Sequence, residues 1–230
     1  MEDIVQYECM LPHQLEKRIS ACPLVYIPVG SLEWHCEHLP VGNDSIKMHA
    51  LCCEAARAGG GVVFPPLYFG ILGMIPYGAK YRYPANLPVS PDFLTGILRT
   101  TLEGLEKVGF RAAILTTGHT CEEQRALMRT VAGGYRGAMR VYGTDDMEWA
   151  KDMDFNSDHA GKWETSILWH LRPELVDVRR LPGDIAVPLE GVYGDDPRLH
   201  ASRELGERVV ASIARDLARK GRQLLDADAG

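Results

Sequence analysis

The residues best suited to chemistry crowd into one short stretch. Between Gly30 and Asp44, fifteen residues hold two histidines (His35, His38) and three acids (Glu33, Glu37, Asp44). Imidazole and carboxylate are the usual ligands of zinc and manganese. In extended chain, Glu33-x-His35 sends both side chains to one side, because side chains alternate with period two. One loop then offers ligands to two neighbouring metal positions, and Asp44 can bridge them as the chain returns. Any one of these residues alone would read as a solvated polar group or a helix cap; the set together favours a metal site. Two further clusters follow, Thr117-Gly118-His119-Thr120-Cys121-Glu122-Glu123 and Asp158-His159-Ala160-Gly161-Lys162-Trp163-Glu164. His159 just before a helix and Glu164 about one turn inside it can face the same cleft.

The elements that must position these clusters are legible from patterning. Leu24 to Val29 is an apolar run that reads as a buried strand and ends in Gly30. Ser45 to Ala58 has helical spacing, with Asp44 or Ser45 as cap and Gly59-Gly60-Gly61 as stop. A second strand follows at Val62 to Phe64. Residues 67–89 are rich in Gly, Pro and Tyr, too long for a plain connector, and read as a functional loop. Ser90-Pro91 opens a helix running to Val108, and Arg111 to Thr116 is a third strand with His119 just beyond it. A helix over Glu122 to Ala132, a strand near Met139 to Tyr142, a polar loop over 144–158, and helices over Ala160 to Leu171 and Leu199 to Leu224 complete the order. Alternating strands and helices predict a three-layer α/β/α fold with a mostly parallel central sheet. No linker or repeat interrupts the pattern, so residues 1–230 read as a single domain. Loops at the carboxyl ends of such strands carry the site, and that is where all three clusters fall.

Composition narrows the partners. With 25 basic and 31 acidic residues the formal net charge is -6, and no basic run appears. This argues against nucleic acid or an anionic membrane surface. No apolar stretch approaches the roughly 20 residues that span a bilayer, and the start Met1-Glu2-Asp3-Ile4 lacks a signal-peptide pattern, so a cytoplasmic protein is expected. The six cysteines form no CxxC pair and read as free thiols in a reducing compartment.

Taken in order, the clusters resemble the creatininase (creatinine amidohydrolase) family. The stretch PVGSLEWHCEHLPVGND (Pro28 to Asp44) follows that family's P-x-G-S-x-E-x-H-x-x-H-L-P-x-x-x-D pattern. Tyr83 to Leu87 looks like a drifted F-P-G-T segment. Gly118-His119 sits where the family has N-G-H-G-G-N, and His159-Ala160-Gly161 with Glu164-Thr165-Ser166 matches H-A-G-x-x-E-T-S. The resemblance implies two divalent ions per subunit (zinc, or manganese or iron), with Glu33 and His119 on one, His35 on the other and Asp44 between them. It implies a catalytic or supporting role for His159 and Glu164. Some members take another ligand from the acid two residues after the Gly-His histidine. That position is Cys121 here, so completion of the second site is left open among Glu164, Glu122 and Cys121.

The chemistry expected is attack by metal-activated water on a non-peptide C–N bond in a small, often cyclic amide, with His159 as the acid that protonates the leaving group. Trp34, Trp149, Trp163 and Tyr83 are candidate walls of a pocket for a small, flat or cyclic substrate, and each reads equally as core or subunit interface. Two other readings stay in view: C–C hydrolysis of a cyclic diketone, and a non-catalytic small-molecule binding protein on the same scaffold. The altered turn after His119 and the changed loop residues Trp34, Cys36 and Glu37 argue against creatinine as the substrate. Family members commonly form symmetric assemblies, so a homo-oligomer is expected, with a hexamer as the candidate state.

Overall fold

A computed structural model of the chain describes residues 4–71, 87–156 and 158–227. Strands β1 (Leu24–Val29), β2 (Val62–Val63), β3 (Ala112–Thr117) and β4 (Arg140–Asp145) form one parallel sheet in the order β2-β1-β3-β4. All six residues of β1 and of β3 are buried, as expected of strands covered on both faces. Alternation divides them between two cores. After a first helix α1 (Pro12–Ala21), Leu24, Tyr26, Ala112 and Ile114 pack with helix α2 (Asn43–Gly59) and with the C-terminal helix α7 (Arg203–Asp226). Val25, Ile27, Val29, Ala113 and Leu115 face the opposite way, against α3 (Pro91–Val108) and α4 (Glu122–Gly134). Leu94, Leu98 and Leu102 of α3 recur every four residues and are wholly buried. Each such leucine contributes about 1.5–3 kcal/mol of burial. The three-layer α/β/α architecture is thus the one the patterning predicts.

Strand order dictates where the site must lie. From β1 the chain crosses to β2 on one side, while β3 leads on to β4 on the other. The carboxyl ends of β1 and β3 therefore flank the point where the winding reverses, and a crevice opens there. Helix α5 (Lys162–Leu171) packs on α2 and α7 and brings its first turn to the same edge. A single-turn helix α6 (Pro197–His200) precedes α7. Among the described residues no helix is long and apolar enough to cross a membrane.

Four boundaries differ from the sequence reading. Helix α2 begins at Asn43 behind Gly42, so Asp44 lies inside its first turn and caps nothing. Strand β4 continues past Tyr142 to Asp145, because Gly143, Thr144 and Asp145 pair with Leu115, Thr116 and Thr117 despite their polar look. Helix α5 starts at Lys162 and not at Ala160. Ala160 has φ 51°, outside helical space, and Asp158 accepts the N–H groups of Trp163 and Glu164 at 2.7 and 3.1 Å. The final helix likewise starts at Arg203, where the Ser202 side chain accepts the Leu205 N–H at 3.0 Å. Of the segment Tyr83 to Leu87, all but Leu87 lies outside the described residues.

Candidate metal centre

Glycines let the backbone segments that carry the site touch. A Cβ on Gly30, just after β1, would sit 2.3 Å from the Ser45 amide nitrogen, and one on Gly118, just after β3, would sit 2.5 Å from the Asp44 carbonyl oxygen. The first turn of α2 is therefore wedged between the two strand ends, and Asp44 is held between the Glu33–His35 loop and His119. Gly118→Ala must push this turn away. Overpacking of this kind costs about 1–3 kcal/mol, and each kcal/mol lowers Tm by about 2–4 °C at this chain length. An unchanged melting curve for the variant would mean that the contact is not close.

Two sets of ligating atoms share Asp44. His119 Nδ1 lies 2.9 Å from Glu33 Oε2 and 3.2 Å from Asp44 Oδ2. His35 Nε2 lies 2.9 Å from Asp44 Oδ1 and 3.4 Å from Glu164 Oε2. The donor atoms of Glu33, Asp44 and His119 lie within 4.8 Å of one another, as do those of His35, Asp44 and Glu164 and those of Glu33, His35 and His159.

The opposite nitrogen of each ring shows what these sets can hold. His35 Nδ1 is 3.0 Å from the Glu33 carbonyl oxygen, His119 Nε2 is 3.1 Å from that of Ile71, and His159 Nε2 is 2.9 Å from that of Trp34. A carbonyl only accepts, so each of these nitrogens carries the hydrogen and donates. In the neutral rings His35 Nε2 and His119 Nδ1 are then lone pairs aimed at carboxylate oxygens, an arrangement that calls for positive charge between them, supplied by a metal ion or by a second ring proton. Ligands bound to zinc at about 2.1 Å sit about 3.0–3.4 Å apart in octahedral or tetrahedral geometry, close to the separations of 2.9–3.4 Å found here. A histidine fixed by a backbone carbonyl on its far nitrogen is also the usual outer support of a metal ligand. The residues fit a divalent ion in each set.

Electrostatics agree. Burial works against a charge on His35, yet Asp44 and Glu164 raise its pKa to about 9. Burial also opposes ionisation of Asp44, but His35 and His119 hold its carboxyl well below the usual range. A centre that grips protons this strongly is short of positive charge. Burial and the neighbouring His35 instead lower the pKa of His159, whose ring stacks on that of His35 with centroids 4.3 Å apart.

The structure brings Glu33, His35, Asp44, His119, His159 and Glu164 together and separates the other two candidates for the second site. Glu122 has a side chain 67% exposed and tied to Arg125 and Arg129. Cys121 is buried in the α3–α4 core and hydrogen-bonds the His119 ring; it and Glu122 line the same cavity, but among the described residues neither joins a set of converging ligand atoms with His35. Cys121→Ser and Glu122→Ala are therefore each expected to keep the wild-type metal content by elemental analysis, with surface-pair losses for the latter of about 0–1 kcal/mol. Loss of one metal equivalent in either variant would move that residue into the centre.

A cavity of about 400 Å³ opens over these groups, with Glu33, His119, His159, Glu164, Met147 and Tyr193 in its wall. The tryptophans expected there are elsewhere. Trp149 and Trp163 belong to the core beneath α7, and Trp34 is buried against Gly191, where only a residue without Cβ fits. Tyr83 lies outside the described residues. Sequence reasoning also missed a buried lysine, Lys47, whose ammonium lies 2.7 Å from Glu164 and 2.8 Å from Asp146. Its position three residues after Asp44 on one helix face was the available signal. His38 was legible only as part of the loop motif; it is buried, bonds Thr165 at 2.8 Å, and has its pKa lowered to about 4 by burial and by His35.

A parallel α/β fold with paired imidazole–carboxylate sets at its winding reversal has the make-up of a metal-dependent enzyme. The family model described as creatinine amidohydrolase matches residues 9–220, and the chain belongs to the creatininase family. It is 25% identical over 240 residues to creatinine amidohydrolase of Pseudomonas putida, covering 89% of this chain and 91% of that one. It is 30% identical over 115 residues to 3-dehydro-scyllo-inosose hydrolase of Thermotoga maritima, covering 50% of this chain and 36% of that one. The crystal structure of a putative creatinine amidohydrolase from Bacteroides fragilis superposes with TM-score 0.78 at 25% identity, over 97% of each chain. A mutant creatininase of zinc–zinc type and a manganese form of creatininase share the fold at TM-scores 0.76 and 0.75, each 23% identical.

Proposed function

We propose that this chain hydrolyses a non-peptide C–N bond in a small, cyclic amide. The observation that carries the reading is the tautomer arrangement, in which carbonyls of Glu33 and Ile71 take the N–H of His35 and His119 and leave lone pairs facing carboxylates. Two divalent ions, zinc or manganese, would be held by Glu33, Asp44 and His119 and by His35, Asp44 and Glu164, and when bound supply Lewis acidity and a water acidified toward neutral pH. The protein's own groups do the rest. His159 donates Nε2–H to Trp34 and is neutral at rest, so Nδ1 is its basic nitrogen. It can take a proton from the attacking water and deliver it to the departing nitrogen. Glu164 is held by its contacts to Lys47 and to the Ala160 N–H and cannot rotate during turnover. Met147 and Tyr193 supply the less polar part of a cavity whose size suits a small ring.

C–C hydrolysis of a cyclic diketone is the second reading, favoured by the identity to the Thermotoga enzyme over the stretch it matches. The test is metal-replete protein against lactams, formamides and cyclic diketones. One new amine and one new carboxylate per amide bond cleaved are expected, on the same product when the substrate is a ring. Acid formation from a diketone without turnover of any amide would favour the second reading. Tight metal and ligand binding without turnover of either class would leave the non-catalytic binding protein.

A further inference from the structure

We propose that Lys47 is a positioning residue that confines Glu164 to one ligating oxygen and so sets the coordination at the His35 position. The inference rests on the metal reading above and extends it to a residue outside the ligand set. Lys47 lies in α2, one turn beyond Asp44, and is completely buried. Taking an ammonium out of water costs several kcal/mol unless its hydrogens find acceptors. Lys47 has one for each: Asp146 Oδ2 at 2.8 Å, Glu164 Oε1 at 2.7 Å and the Gly118 carbonyl at 3.4 Å.

Asp146 alone would neutralise the ammonium, so the contact to Glu164 is not needed for charge balance. What it does is fix the carboxylate. Glu164 Oε1 is engaged by Lys47, while Oε2 accepts the Ala160 N–H at 2.8 Å and lies 3.4 Å from His35 Nε2. With both oxygens held from opposite ends, only Oε2 can reach the His35 position. The Gly118 contact ties the same ammonium to the residue before His119, so one side chain braces both halves of the centre against the end of β4. Released from Lys47, Glu164 could turn and offer both oxygens to the same ion.

Cobalt(II) reads this directly, because its visible d–d bands weaken as coordination rises from four to five or six. Chelator-stripped wild type, Lys47→Met and the double variant Lys47→Met/Asp146→Leu are titrated with cobalt(II) by calorimetry and absorption. The double variant removes both buried charges and guards against a single variant that fails to fold. The expected result is a loss of about 10–100-fold in affinity at one of two sites, the usual effect of removing an outer support, with weaker d–d absorption per cobalt and the other site unchanged. A folded double variant with wild-type affinities and an unchanged spectrum would overturn the proposal and leave Lys47 a structural ion-pair partner. Wild type that takes up no cobalt would remove the metal reading itself, and the Lys47 inference with it, a result plainly distinct from the former.

Discussion

Asp44→Asn is expected to lower turnover by on the order of 10³-fold or more and to release both metal equivalents from the purified protein. Its two oxygens face different histidines, Oδ1 at 2.9 Å from His35 Nε2 and Oδ2 at 3.2 Å from His119 Nδ1, so no other residue contributes to both of these sets. Asparagine keeps the volume and one acceptor but removes the charge and replaces an acceptor with a donor. That N–H₂ would point at a cation. The loss of metal then removes several kcal/mol of transition-state charge stabilisation, and each 1.4 kcal/mol or so is tenfold in rate. Elemental analysis separates this effect from misfolding when the variant's circular dichroism matches wild type. Retention of two metals together with wild-type turnover would end the shared-carboxylate proposal. Asp44→Ala is expected to behave alike, with a further stability cost from the hole left beside Gly118.

How much of this was open to sequence reading depends on the kind of signal. The buried strands Leu24–Val29 and Ala112–Thr117 were legible because they are unbroken apolar runs stopped by glycine or polar residues. The loops rich in acids and histidines were legible because so many such residues at a strand end have no role in packing. What stayed hidden is set by tertiary contact. The acceptors that fix the histidine tautomers are the backbone carbonyls of Glu33, Trp34 and Ile71, and a carbonyl leaves no mark on residue type. Lys47 drew no reading from the sequence, since an ammonium is tolerated in the interior only once Asp146 and Glu164 arrive from distant segments. The choice among Glu164, Glu122 and Cys121 had the same character. It turns on side-chain direction, which follows from where α4 and α5 dock and not from their spacing in the chain. The polar end of β4 was missed because pairing with β3 outweighs the weak strand propensity of Gly143 and Asp145.

The second large effect is expected at His159. His159→Asn should reduce kcat by about 10²–10⁴-fold, the range for losing a general acid–base group, while both metals stay bound. The ring gives its Nε2 hydrogen to the Trp34 carbonyl at 2.9 Å and stacks on His35, so its orientation is fixed from two directions. Burial and His35 lower its pKa, which keeps it neutral below the ordinary histidine value of about 6.5. The sign follows: a base that must be neutral to accept the first proton loses activity only as pH falls through this lowered pKa. The acid limb of the wild-type kcat profile should therefore lie below about 6.5 and should flatten in the variant. A ring nitrogen of His159 also comes within 4.8 Å of ligating atoms of Glu33 and His35, which gives the experiment its decisive arm. If His159→Asn sheds a metal equivalent, the histidine is a ligand and the proton relay needs another carrier. If metal stays and the rate does not fall, it is a bystander. A slow, metal-replete enzyme with a flattened acid limb is the outcome in which His159 moves the proton between water and the leaving nitrogen.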